Sequence, residues 1–187
     1  NATEPLVRSY SFSKDEIVTE DLGNLGGTQL TIFGNGYYVD GNGKAGITLN
    51  EGQTLNIEKG TGENFIWEKF NKEGYGGVLV NSGNGIINIL NNVSFTSNTA
   101  TAYGGAIANV DSDNDVVDAG TINIGNNTLF KGNIAETDCG GAIANTGNIT
   151  IGENATFEQN SSAGCGGAIY NNTNGEIVIG KNVTFSN

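Results

Sequence analysis

The chain has no histidine and no methionine, one proline, and only 8 lysines and arginines against 20 acids. Without histidine it lacks the commonest general base and the commonest neutral metal ligand. A formal net charge of −12 excludes nucleic acid, whose phosphates demand a basic face, and disfavours an anionic membrane surface. No run of eighteen apolar residues occurs, so no membrane insertion is expected of this segment. No initiator methionine or signal-peptide pattern precedes Asn1-Ala2-Thr3-Glu4-Pro5, which reads as a mature or excised start. No window sustains a period near 3.6, which removes amphipathic helices. At 187 residues and 36% hydrophobic content, one domain or a slice of a longer solenoid, with a narrow core, is expected.

What the chain does have is glycine, 30 of them, arranged in a repeat. Gly104-Gly105-Ala106-Ile107-Ala108-Asn109, Gly140-Gly141-Ala142-Ile143-Ala144-Asn145 and Gly166-Gly167-Ala168-Ile169-Tyr170-Asn171 share one pattern, with Gly76-Gly77-Val78-Leu79-Val80-Asn81 a looser copy. Between them falls Asn-x-x-Phe, ending at Phe95, Phe130, Phe157 and Phe185; the first three are followed by Asn98, Asn133 and Asn160. Short β-branched runs such as Ile122-Asn123-Ile124 and Ile149-Thr150-Ile151 complete each unit, bounded by Gly, Asn and Asp. The unit is about 27 residues, in the range of solenoids and propellers. About three short strands per unit with Gly/Asn corners describe a right-handed parallel β-helix, all-β.

Stacked rungs place equivalent residues one above another at about 4.8 Å. The four Phe are therefore expected to form an internal stack, and the Asn residues to turn inward at corners. The Gly-Gly pairs are expected to supply positive φ or close backbone approach. Cys139 and Cys165 precede successive Gly-Gly pairs, where Tyr75 and Tyr103 stand in earlier units. Equivalent positions on adjacent rungs fall within disulfide range, so a Cys139–Cys165 bridge and an oxidising, extracytoplasmic location are expected.

Residues 1–28 read as an N-terminal cap, in which Ser9 to Ser13 resembles an edge strand and Lys14 to Asp21 a short helix or solvated cover. The β-helix then spans 29–187, and its end inside a Phe-x-x-Asn motif suggests truncation at the C-terminus. Residues 61–74 interrupt the pattern, with Trp67 and Phe70 expected on a flank of the solenoid. About nine extra residues enlarge the corner after Asn109, and Asp111, Asp113 and Asp115 space themselves like the start of a calcium loop. Val116 and Ile122 stand where that loop needs Gly and a bidentate Glu, so a solvated acidic loop is the stronger reading, and neither a metal site nor a cofactor is expected.

The paired Gly-Gly-Ala-Ile and Phe-x-x-Asn motifs resemble those of polymorphic outer membrane proteins, autotransporter adhesins best known from chlamydiae, over about residues 70–187; similar repeats occur in surface proteins of other bacteria, so the organism stays open. The resemblance implies a secreted passenger on the bacterial outer-membrane surface, acting in adhesion, with a host-cell protein, a glycan or another copy as partner. A structural spacer raising a distal domain fits the same sequence. A polysaccharide-degrading β-helix enzyme is the weaker alternative, because scattered acids offer no cleft pair clearer than Glu136 and Asp138. An ice-binding face is disfavoured, since no Thr-x-Thr ladder recurs at rung spacing. Asn-x-Ser/Thr sequons, among them those at Asn92, Asn126, Asn154 and Asn182, follow from the Asn and Thr content.

Overall fold

The computed structural model describes residues 6–110 and 120–187. Among them every regular element is a short strand, and every strand pairing is parallel. Two seven-stranded sheets and one six-stranded sheet run the length of the molecule, with a four-stranded sheet beside them. Register partners from Val7 through Gln29 to Asn148 and Glu176 recur about every 28 residues, giving a β-solenoid of about six turns.

The first sheet carries the Ile-x-Ile runs: Thr54–Glu58, Ile86–Ile89, Thr121–Ile124 and Asn148–Ile151 pair in order. Strict alternation sends Leu55, Ile57, Ile87, Ile89, Ile122 and Ile124 into the core and leaves Asn56, Asn88 and Asn123 outside. The second sheet carries the Phe strands, including Val93–Thr96, Leu129–Lys131 and Thr156–Glu158. Phe95, Phe130, Phe157 and Phe185 stack with ring centroids 5.1, 4.8 and 4.9 Å apart and planes within 13°. Burying each of the first three rings contributes on the order of 1.5–3 kcal/mol; Phe185 lies half exposed on the last strand.

Residues 61–74 continue the solenoid instead of interrupting it. Phe65–Glu68 pairs on both sides in the Phe sheet, with Trp67 in register with Phe95, and Trp67 and Phe70 are buried in the core rather than on a flank. Trp67-Glu-Lys-Phe70 occupies the place of Phe95-Thr-Ser-Asn98, a degenerate copy in which Phe70 fills the corner. Gly34 and Gly41 in the preceding rung make the room, because a Cβ on either would overlap the Phe65 or Phe70 ring.

The segment read as a cap supplies a rung of its own over its described residues. Val7–Ser11 pairs with Gln29–Phe33, Glu16–Ile17 with Val39 and Asp40, and Gly23–Asn24 with Ile47 and Thr48. Lys14 to Asp21 contains no helix; its acids terminate backbone donors of the next rung, Asp15 accepting from Tyr38 N at 3.1 Å and Asp21 from Ala45 N at 2.8 Å.

Two buried asparagine columns close the corners. Asn98, Asn133 and Asn160 follow the Phe strand. Asn133 Nδ2 donates to Asn160 Oδ1 at 2.9 Å and to Phe95 O at 3.0 Å, while its Oδ1 accepts from Asn98 N at 3.1 Å and Asn98 Nδ2 at 3.0 Å. All four valences of the amide are used. Asn81, Asn109, Asn145 and Asn171 follow the Ala strand, each Nδ2 donating to the next Oδ1 at 3.0, 2.8 and 2.7 Å. That ladder begins at Asn81, whose register partner in the preceding rung is Leu49, and among the described residues Asn81 Oδ1 has no partner. The first Asn of Asn-x-x-Phe behaves differently from the inward role expected for it. Asn92, Asn127, Asn154 and Asn182 hold φ of 55 to 60° at an outer turn, a conformation Asn tolerates better than other non-glycine residues.

Asn133→Ala strands several buried backbone and amide groups at once, each costing about 1–3 kcal/mol. Chemical denaturation should show a loss above about 3 kcal/mol for Asn133→Ala and under about 1 kcal/mol for Asn123→Ala on the outer face.

Candidate functional site

The motif residues are interior, so the surfaces open to a partner lie elsewhere. Between the Phe strand and the Ala strand the chain makes an excursion that the three-strand reading of the repeat omits. Asn71–Lys72, Thr99–Ala100, Ile134–Ala135 and Ser161–Ser162 form the fourth sheet. The chain then doubles back through the Gly-Gly pair. Gly76, Gly104, Gly140 and Gly166 all have positive φ, between 57 and 77°. A Cβ on Gly105 would overlap Gly141 O and stand against the Ile134 backbone. The excursion thus lies directly on its neighbours, and Ala108 and Ala144, which face outward from the Ala strand, are fully covered. In these middle rungs the covered column holds alanine, with Val80 in the rung before and half-buried Tyr170 on the last strand.

The excursions stack into a ridge. Tyr75 and Tyr103 lie parallel with centroids 5.6 Å apart, and Tyr170 reaches within 6.1 Å of Tyr103. In the next two rungs the same column holds Cys139 and Cys165, joined as a disulfide with Cα atoms 4.6 Å apart. Burial, then the neighbouring Asp138 charge, pushes the Tyr103 phenol up from its ordinary range. Glu136 is exposed and Asp138 half-buried, with Asp138 Oδ2 accepting from Thr137 Oγ1 at 3.2 Å. Lys72 replaces the buried Ala100 and Ala135 in its column; its ammonium donates to Thr48 Oγ1 at 2.6 Å, and burial holds its pKa down.

On the Phe sheet's outer face, Lys69 Nζ bridges Glu68 at 2.7 Å and Asp40 at 2.9 Å. Those two carboxylates push the lysine's pKa up, and the hydrogen bond from Lys69 holds Asp40 below its ordinary range. This is a solvated ion-pair cluster, screened by water. Among the described residues, no group of three or more acidic or cysteine side chains is placed to hold a metal ion. Asp111, Asp113 and Asp115 lie outside the described residues, as does the rest of 111–119. The corner carrying that insertion is closed at its base: Asn109 Nδ2 donates to Gly120 O at 2.9 Å, as Asn81 does to Gly85 O at 2.8 Å and Asn145 to Gly147 O at 2.7 Å.

Residues 92–110, 127–146 and 154–172 match the family model of the Chlamydia polymorphic membrane protein (Chlamydia_PMP) repeat. Each matched segment runs from the turn Asn through the Phe strand, the buried corner Asn and the excursion to the Asn that closes the Ala strand. The chain carries Chlamydia polymorphic membrane protein repeats. The matched unit therefore covers two walls of the solenoid and both buried amide columns, and leaves out the Ile-x-Ile wall. No curated protein and no solved structure matches the chain. The repeats are those of a membrane-protein family, and no helix among the described residues is long and apolar enough to cross a membrane.

The disulfide closes a loop with a sequence separation of 26 between its cysteines and ties two repeats already paired by backbone. Titration of unfolded, unreduced protein should find no reactive thiol. Reduction, or Cys139→Ser with Cys165→Ser, should lower unfolding stability by about 2–4 kcal/mol. Two thiols in the unreduced protein would remove the bridge.

Proposed function

We propose that this chain is a non-catalytic passenger module displayed on a bacterial outer-membrane surface, where it attaches to host cells. The observation that carries the reading is the placement of the repeat. Stacked polymorphic membrane protein repeats put their motif residues into internal ladders, so the repeat builds a continuous rod and its lateral faces are what a partner meets. Parallel strands hydrogen-bonded along the whole axis, with filled aromatic and amide columns, make a stiff support for presenting such faces. The disulfide suits an oxidising exterior.

A polysaccharide hydrolase needs two carboxylates flanking one bond, one protonated and one ionised. Glu136 and Asp138 instead sit on the excursion ridge, with Asp138 beside Thr137 and Tyr103. A spacer that only elevates another domain would share the rod and differ in binding nothing.

Purified chain, labelled at its terminus, should bind cultured epithelial cells saturably and compete with its unlabelled form. Cell binding that is absent or non-saturable contradicts the adhesin reading and leaves the spacer. Turnover of pectin, alginate or host glycans by the same preparation contradicts the non-catalytic assignment.

A further inference from the structure

We propose that the outer face of the Ile-x-Ile sheet is a binding face for neutral glycans, an inference that rests on the adhesin reading and names its ligand class. Alternation leaves one column of this sheet reading Thr31, Asn56, Asn88, Asn123 and Thr150 on five successive strands, in direct register. The flanking outward column reads Gln29, Thr54, Ile86, Thr121 and Asn148. Neither column holds a charged residue over those five strands, in a chain whose net charge is −12. The polar array is absent from a search for Thr-x-Thr because Asn and Thr exchange places from rung to rung.

The amides are fixed before any ligand arrives. Asn56 Nδ2 donates to Thr31 Oγ1 at 3.1 Å, Asn88 Nδ2 to Asn56 Oδ1 at 2.8 Å, and Asn123 Nδ2 to Asn88 Oδ1 at 2.8 Å. This ladder uses one N–H of each amide and one lone pair of each of Asn56 and Asn88. A primary amide has two N–H donors and two carbonyl lone pairs. Among the described residues one donor and one acceptor of Asn56 and of Asn88 therefore remain, repeated at the strand spacing of about 4.8 Å. Vicinal sugar hydroxyls, each donor and acceptor, match such a pair, and prior locking of the side chains removes their ordering cost on binding.

The surroundings agree with that chemistry. A shallow groove of about 390 Å³ runs along the ladder, bounded by Asn56, Asn88, Asn123, Leu90 and Asn91. Ile86 and Leu90, each 40% exposed, offer apolar surface for the C–H face of a sugar ring. Charge decides the subclass. Sialylated or sulfated chains would approach an acidic molecule through two columns with no cation and with Glu58 and Glu176 at their margins, whereas a neutral chain loses nothing to repulsion.

The test is binding of the whole chain to an immobilised array holding neutral, sialylated and sulfated oligosaccharides. Asn88→Thr with Asn123→Thr keeps strand-forming, uncharged side chains and removes the amides; Lys131→Ala on the Phe sheet is the control. Circular dichroism melting establishes that both variants fold. Saturable binding to neutral glycans, weakened at least about tenfold in the double threonine variant and unchanged in Lys131→Ala, is the expected result. No binding to neutral glycans, binding confined to acidic glycans, or binding that survives both threonine substitutions overturns the proposal. Cells stripped of surface glycans separate the two readings: attachment that persists on them sinks the glycan face while leaving adhesion standing. Array binding without cell attachment has the opposite meaning.

Discussion

The structure depends on asparagine amides buried where a parallel solenoid must turn. A parallel strand cannot close on its neighbour by a tight hairpin; each rung has to bend through corners that expose backbone donors and acceptors to the core. Asn133 answers four of those demands with one side chain, donating to Phe95 O and Asn160 Oδ1 and accepting from Asn98 N and Nδ2. Because every amide bonds to the one in the next rung, the register of one rung fixes the next. The aromatic stack then follows, since register is what brings Phe130 and Phe157 within 4.8 Å of each other.

The second amide column has a different consequence. Asn81, Asn109, Asn145 and Asn171 each donate to a glycine carbonyl across the corner, at Gly85, Gly120, Gly147 and Gly175. Sequence separations across that clamp are 4, 11, 2 and 4. The corner is pinned at its neck, so residues beyond it can be added or removed at small loop-closure cost. The interior stays constant from rung to rung while the length of this corner varies.

Much of this was legible in the sequence, for a physical reason. Residues that stack at rung spacing must be nearly identical, so Phe95, Phe130, Phe157 and Asn98, Asn133, Asn160 announce their column by repetition. Phe70 was illegible because the core accepts a large ring at that corner where the neighbouring rung supplies space, and that space comes from Gly41 in another part of the chain, as Gly34 makes room for Phe65; Trp67 takes the Phe position of its column. The excursion of residues 99–104 left only two-residue strands, too short for any alternation to register. The outer amide ladder of Asn56, Asn88 and Asn123 was hidden for the converse reason: solvent-facing positions tolerate Asn–Thr exchange, and their alignment emerges only from the register. The acids of Lys14 to Asp21 signalled solvation, yet Asp15 and Asp21 serve the backbone of the next rung.

The buried asparagines of the two columns, Asn98, Asn133 and Asn160 with Asn81, Asn109 and Asn145, are internal clamps and not contact residues. Side-chain amide hydrogen exchange, read by NMR, tests this most directly. The Nδ2 protons of Asn98, Asn133 and Asn160 should exchange only through global opening, with protection matching the most stable backbone amides, while those of Asn127, Asn154 and Asn182 exchange freely. Rapid exchange of Asn133 Nδ2 in the folded protein would contradict the account.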